Sequence, residues 1–113
     1  MKNSVHFMQT PEFVKFLNSL NDADASELIK KIEQIQSIGM PTAISKAWVK
    51  KIDRNLYEIR SRLGSNIQRA LYFQVLNEKY LILCGFTKKT QKTPRHEINK
   101  AKRIRARYLK GNS

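Results

Sequence analysis

The stretch Leu56–Phe86, LYEIRSRLGSNIQRALYFQVLNEKYLILCGF, decides the fold. It holds three runs of strand character, Leu56–Leu63, Gln68–Leu76 and Lys79–Phe86. Successive side chains of a strand point to opposite faces. In the first run, therefore, Tyr57, Ile59 and Leu63 share one face, and Glu58, Arg60 and Arg62 the other. Gly64-Ser65-Asn66 and Asn77-Glu78 separate the runs with turn-forming residues, which predicts an antiparallel meander. The third run is apolar almost throughout, as a central strand covered on both faces requires.

Following the meander, Phe86–Pro94 (FTKKTQKTP) carries Lys88, Lys89 and Lys92 with Thr87, Thr90 and Thr93 and no acid. Such a segment is either a solvated strand–helix connection or a cluster of donors for a phosphate. From Pro94 to Lys110 the pattern is helical and basic. Ile98, Ala101, Ile104, Tyr108 and Leu109 occupy one arc, and Lys100, Arg103, Arg107 and Lys110 the opposite one. Arg105 falls among the apolar positions, so it either snorkels or reaches a partner. Gly111-Asn112-Ser113 is expected to be a disordered tail.

Before the meander, Trp48, Val49 and Ile52 mark a short strand and Asp53-Arg54-Asn55 a turn. Thr10-Pro11-Glu12 has the form of a helix start, with Thr as N-cap and Pro at the first helical position. Phe13, Phe16, Leu17 and Leu20 follow at helical spacing. Asp24-x-x-Glu27 resembles a capping box for a second helix, whose stripe is Ala25, Leu28, Ile29, Ile32 and Ile35 and which Gly39 and Pro41 stop. Val5–Gln9 suggests a short first strand. Residues 1–113 thus read as one α+β domain: a helical hairpin on one side of a meander of about four strands, closed by a basic helix. Val14, Leu17, Leu28, Ile32, Ile35, Ile59, Phe73, Leu81 and Leu83 are the expected core.

The net charge of +13 is uneven. Residues 1–45 hold four basic and five acidic side chains, whereas residues 46–113 hold eighteen and four. This asymmetry points to a polyanionic partner, with nucleic acid ahead of a membrane, since the basic helix lacks bulky apolar anchors. There is no run of 18 apolar residues and no apolar segment in Met1–Thr10, which argues against a membrane span or a signal peptide. Lone Cys84, inside YLILCGF, fits a buried hydrophobe in a reducing cytoplasm. His6 and His96 lie far apart without ligands at metal spacing, so no metal or cofactor is expected.

A connection at Leu63–Asn66 sets Arg60 opposite Arg69 across the ladder. Facing like charges are unfavourable unless something intervenes. A bound phosphate clasped by two guanidiniums is one answer, and a surface pair with Glu58 is the other. The first predicts that truncating either arginine leaves stability unchanged or raised; the second predicts that stability falls. Lys88, Lys89, Lys92 and, before the first meander strand, Lys50 and Lys51 would converge on the same place.

The blocks LYEIR (Leu56–Arg60), RALYF (Arg69–Phe73) and LILCGFTKKTQKTP (Leu81–Pro94), continuing into a helix with Glu97, Ile98 and Ala101, resemble the HigB toxins, the phage-derived branch of the RelE/ParE superfamily. The resemblance covers residues 56–110. It implies a RelE-like fold and a type II toxin of the bacterial cytoplasm that cleaves ribosome-bound mRNA without a metal, by attack of the ribose 2′-OH on the adjacent phosphate. It also implies a small helix-turn-helix, HigA-like antitoxin, through which the complex oligomerises. Arg60, Arg69, Lys88 and Lys89 match the family's basic catalytic positions. Lys50, Lys51, Arg62, Lys92, Arg95, Lys100, Arg103 and Arg107 are the corresponding candidates for contacts with RNA and ribosome. The matching turn carries lysines and threonines where other superfamily members have a tyrosine, aspartate or histidine, so the general base stays open. A toxin that binds a protein target without chemistry, as the ParE branch does with gyrase, is the alternative.

Overall fold

The computed structural model describes residues 5–88, 90 and 92–111. The elements run β1 (His6–Gln9), α1 (Pro11–Ser19), α2 (Asp22–Ile38), α3 (Met40–Ser45), β2 (Val49–Asp53), β3 (Leu56–Leu63), β4 (Asn66–Leu76), β5 (Lys79–Lys88) and α4 (Arg95–Gly111). The strands form one sheet in the order β1-β5-β4-β3-β2. β2, β3, β4 and β5 are the antiparallel meander expected from the alternation and the turns. The fifth strand departs from that expectation, because β1 pairs parallel with β5. The outer edge of β5 carries unpaired backbone groups that another strand satisfies, and His6 N–H bonds the Glu78 carbonyl at 2.9 Å to start that ladder.

Helix ends follow from local chemistry. Thr10 caps α1, its Oγ1 accepting from Phe13 N–H at 3.1 Å, while its hydroxyl donates to the Leu83 carbonyl at 2.6 Å. One residue thus ends a strand, starts a helix and ties both to β5. α2 begins one turn before the expected Asp24–Glu27 box. Asn21 is its cap, with Oδ1 accepting from Asp24 N–H at 2.8 Å and Nδ2 donating to Asp24 Oδ2 at 3.1 Å. An asparagine at that position satisfies an orphan amide and leaves the first turn to Asp22 and Asp24, as the helix dipole favours. Gly39, at φ +90°, ends α2. Pro41 does more than follow it: it sits in the first turn of α3, where no amide hydrogen is needed.

The two faces of the sheet are covered by different helices. On one, Phe13, Leu28, Ile32 and Ile35 of α1 and α2 pack with Val49, Ile59, Ala70, Tyr72 and Ile82. On the other, Ile98, Ala101 and Ile104 of α4 pack with Leu56, Leu71, Phe73, Leu81 and Leu83. The register shifts so that Leu71 opposes Cys84 while Tyr72 opposes Ile82. That bulge lets the adjacent Leu83 and Cys84 both join the α4 cluster, which explains the unbroken apolar run. Of the expected core, Val14 is a correction: it is 42% exposed. A helix of nine residues buries only a narrow stripe, and Phe13, Phe16 and Leu17 take it, Leu17 being half-buried. Leu109 is likewise 51% exposed, because Tyr108 takes the last contact of α4, its ring 6.2 Å from that of Phe73. Gly111, expected in a disordered tail, is the final residue of α4. Among the described residues no helix is long and apolar enough to cross a membrane.

Candidate functional site

The face under α4 ends in a basic corner, and the ladder dictates its layout. β3, β4 and β5 place Arg60 opposite Arg69 and Arg69 opposite Phe86. One step outward, Arg62 faces Ile67, and Ile67 faces Lys88. One step inward, Lys50 of the edge strand β2 stands beside Glu58. Arg60 and Arg69 therefore face each other as the turn between β3 and β4 predicted.

The conflict between the two guanidiniums is settled by Glu58. Its carboxylate is fully buried and lies between them: Oε1 accepts from Arg60 Nε at 2.6 Å, and Oε2 stands 3.7 Å from Arg69 Nη1. Of the two answers to the facing charges, the structure shows the pair with Glu58, as a shared internal carboxylate rather than a surface contact. Arg69 is completely enclosed, with its guanidinium carbon 5.8 Å from the centre of the Phe86 ring. Burial lowers the affinity of that guanidinium for its proton; Glu58 opposes the effect, and Arg60 and Arg62 add to it. Arg60 keeps a 20% exposed side chain at the rim. Oε2 of Glu58 also accepts from the Thr93 hydroxyl at 2.7 Å, which pins the segment after β5 against β3.

The other predicted residues are spread more widely. Lys88 ends β5 half-buried, Lys92 is exposed ahead of α4, and Arg95 is exposed as its first residue. Lys89, matched to a catalytic position, lies outside the described residues. Lys50 shares the face of Glu58; Lys51, paired with Tyr57, belongs to the opposite face, so the two do not converge as expected. Lys100 and Arg103 are exposed on α4. Arg107 is engaged with Glu12, and the bonded guanidinium holds that carboxyl below its usual range. Arg105 does reach a partner, donating to the carbonyls of Arg54 at 2.9 Å and Asn55 at 2.6 Å. Lys102 meets Asp53 at 2.6 Å. Much of the basic helix therefore serves to hold itself to the β2–β3 turn and to α1.

Reasoning from alternation placed Glu58 only as a surface partner, and it overlooked Thr93 as the residue that closes the corner. A carboxylate two positions before an arginine on a strand was the available signal, since both then lie on one face. Cys84 is buried, and that burial pushes its thiol up to about 12. Among the described residues no three His, Cys, Asp or Glu side chains gather as a ligand set.

Similar proteins fit this architecture. A crystal structure of an archaeal RelE–RelB complex from Pyrococcus horikoshii OT3 contains a chain that superposes with a TM-score of 0.56 at 18% identity; the match covers 80% of this chain and 100% of that one. The fold is therefore RelE-like. No curated protein matches the sequence. Residues 15–106 match the family described as Phage derived protein Gp49-like (DUF891), a span that takes in the second half of α1, all of α2, the meander and most of α4. The chain belongs to the Gp49-like family of phage-derived proteins.

Proposed function

We propose that this protein is the toxin of a type II toxin–antitoxin pair, of HigB type, and that it cleaves mRNA on the translating ribosome in the bacterial cytoplasm. The observation that carries this reading is the basic corner itself: Arg60, Arg62 and Lys88 stand at one end of a sheet face, with Arg60 oriented by a buried carboxylate. The Gp49-like family and the RelE-like fold support it. The partner is a small helix-turn-helix antitoxin, HigA-like, in keeping with a fold-relative that was solved in complex with RelB.

In the reaction, the ribose 2′-oxygen forms a bond to phosphorus as the bond to the 5′-oxygen breaks. The 2′-hydroxyl loses its proton, the leaving 5′-oxygen gains one, and the products are a 2′,3′-cyclic phosphate and a 5′-hydroxyl. Such a step needs in-line alignment and fixed positive charge where negative charge develops. Arg60, Lys88 and Lys89 supply that charge. Arg69, completely enclosed, acts as a positioning residue through Glu58. Glu58 is buried and occupied by Arg60, Arg69 and Thr93, so its part is to orient them. Proton transfer falls to the lysines of the turn or to the ribosome. Lys50, Arg62, Lys92, Arg95, Lys100 and Arg103 hold RNA and ribosome, while Lys51 on the far face and Arg107 on Glu12 contribute less.

One observation favours a second reading. Glu58 neutralises the facing arginines without any external anion, so their juxtaposition alone does not demand RNA chemistry. A ParE-like toxin that blocks a protein such as gyrase would keep the same corner for packing. Mapping mRNA 5′ ends on ribosomes, with and without the protein, separates the two. New 5′-hydroxyl ends inside reading frames, absent with Arg60→Ala, are expected. Growth arrest without new ends would overturn the nuclease reading in favour of a protein target.

A further inference from the structure

We infer that the cavity beside Trp48 is a nucleotide subsite, in which an unpaired RNA base stacks on the indole with its phosphate against the Arg60–Arg62 edge. The inference rests on the preceding reading only in taking RNA as the ligand. The site lies just ahead of β2, where its ladder with β3 begins. Val49 is paired with Ile59, the Trp48 carbonyl accepts from Arg60 N–H at 3.2 Å, and β3 continues to Leu63 beyond its last β2 partner. A cavity of about 260 Å³ opens at this step, lined by Glu27, Lys31, Trp48, Arg60, Arg62 and Ile67.

The chemistry of that lining selects a ligand class. The indole is half-buried, and the Lys31 ammonium stands 3.9 Å from its ring centre, with Lys46 at 5.6 Å. Cations gather at the electron-rich face of an indole, and here they do so at the mouth of an open cavity. Ala47, immediately before it, adopts φ +60°, a conformation disfavoured for alanine, as the chain turns from α3 into β2. Lys31 and Arg62 bring two positive charges to one wall, beside an Arg60 already paired with Glu58, and Glu27 brings one carboxylate. An apolar ligand would leave those charges unanswered. A flat π-system joined to a phosphate answers all of them: the base stacks on Trp48, the phosphate meets Arg62 and the displaced Lys31, and Glu27 accepts from an exocyclic amino group. Stacking on aromatic side chains beside a basic groove is how unpaired RNA is held with little sequence demand. Because Arg60 belongs to both places, the seated nucleotide adjoins the scissile position.

Trp48 is the sole tryptophan of the chain, so tryptophan emission, excited beyond the tyrosine band, reports on this site alone. A short single-stranded RNA oligonucleotide should quench that emission saturably, whereas an abasic oligonucleotide of equal length should bind with little quenching. By anisotropy of labelled RNA, Trp48→Ala should weaken binding about tenfold. Trp48→Phe, which keeps a stacking surface and fits the same packing, should retain most of the affinity, and Arg62→Ala should lose it with the indole intact. RNA that binds without changing the emission, quenching by the abasic oligonucleotide, or no RNA binding at all would each overturn the subsite. The ribosome assay reads separately. Quenching without mRNA cleavage would sink the nuclease and keep the subsite, and cleavage without quenching would do the reverse.

Discussion

Thr93 donates its hydroxyl to Oε2 of Glu58 at 2.7 Å, so a residue just ahead of α4 is bonded to the middle of β3, thirty-five positions earlier in the chain. Both groups are buried, which makes the bond a fixed point rather than a surface contact. Through it Thr93 is held on the same carboxylate that orients Arg60. Replacing the hydroxyl by a methyl in Thr93→Val leaves the volume and removes the bond to a charged acceptor. A loss of about 1.5–3 kcal/mol is expected from chemical denaturation, with ribosomal cleavage reduced as the turn comes off register.

The arginines should behave unlike one another. Arg69→Ala removes an enclosed partner of a buried carboxylate and is expected to cost about 3–5 kcal/mol. Arg60→Ala takes a partly exposed side chain and should cost less in thermal melts while abolishing growth arrest. Glu58→Ala should resemble Arg69→Ala in stability. This reverses the expectation, attached to a phosphate clasp, that removing either arginine leaves stability unchanged or raises it. A stabilised Arg69→Ala protein would mean that Glu58 does not balance the pair.

Gly85 stands where β5 passes beneath α1. A Cβ there would come 2.3 Å from Cδ2 of the Phe16 ring and 3.0 Å from the Arg69 carbonyl oxygen. The ring must swing away, and overpacking of this kind costs about 1–3 kcal/mol. Gly85→Ala is therefore expected to lower the denaturation midpoint, and Phe16→Leu in the same chain should recover part of the loss.

Acid should loosen the contact between α1 and α4. The hydrogen bond from Arg107 holds the Glu12 carboxyl below its ordinary value of 4.5. A folded value below the unfolded one means that the contribution is complete above 4.5 and fades as the pH falls through the folded value. Both side chains are partly exposed, so the effect is small. Melts followed from neutrality to about pH 3 should show a shallower acid decline for Glu12→Gln than for the parent.

Binding to RNA or ribosomes should depend steeply on salt, because the basic half would displace counterions from several phosphates. With six or more contacts, affinity falls about a thousandfold between roughly 50 and 200 mM. A flat response in that range would favour the protein-target reading.

What this sequence determined by itself was local. The alternation in Leu56–Leu63 and the turn at Gly64-Ser65 set which side chains share a face and which residue opposes which, and the observed pairing of Arg60 with Arg69 follows from them. Thr10-Pro11 determined the start of α1, since a cap needs only its own next turn. The spacing of Ile98, Ala101 and Ile104 determined the buried side of α4. Tertiary structure decided whatever depends on groups far apart in the chain. The parallel docking of β1 beside β5 satisfies backbone groups some seventy residues away, and no periodicity encodes that. That Arg69 is enclosed and Glu58 its buried partner depended on how the packed elements cover β4, which no local pattern states. The helical pattern offered Val14 and Leu109 to the core, but the area of sheet left by Phe13 and Tyr108 decided against them. The wall that joins Trp48 to Lys31 and Arg62 likewise exists only where the chain entering β2 meets α2, since burial and enclosure are properties of packed elements and not of any one stretch.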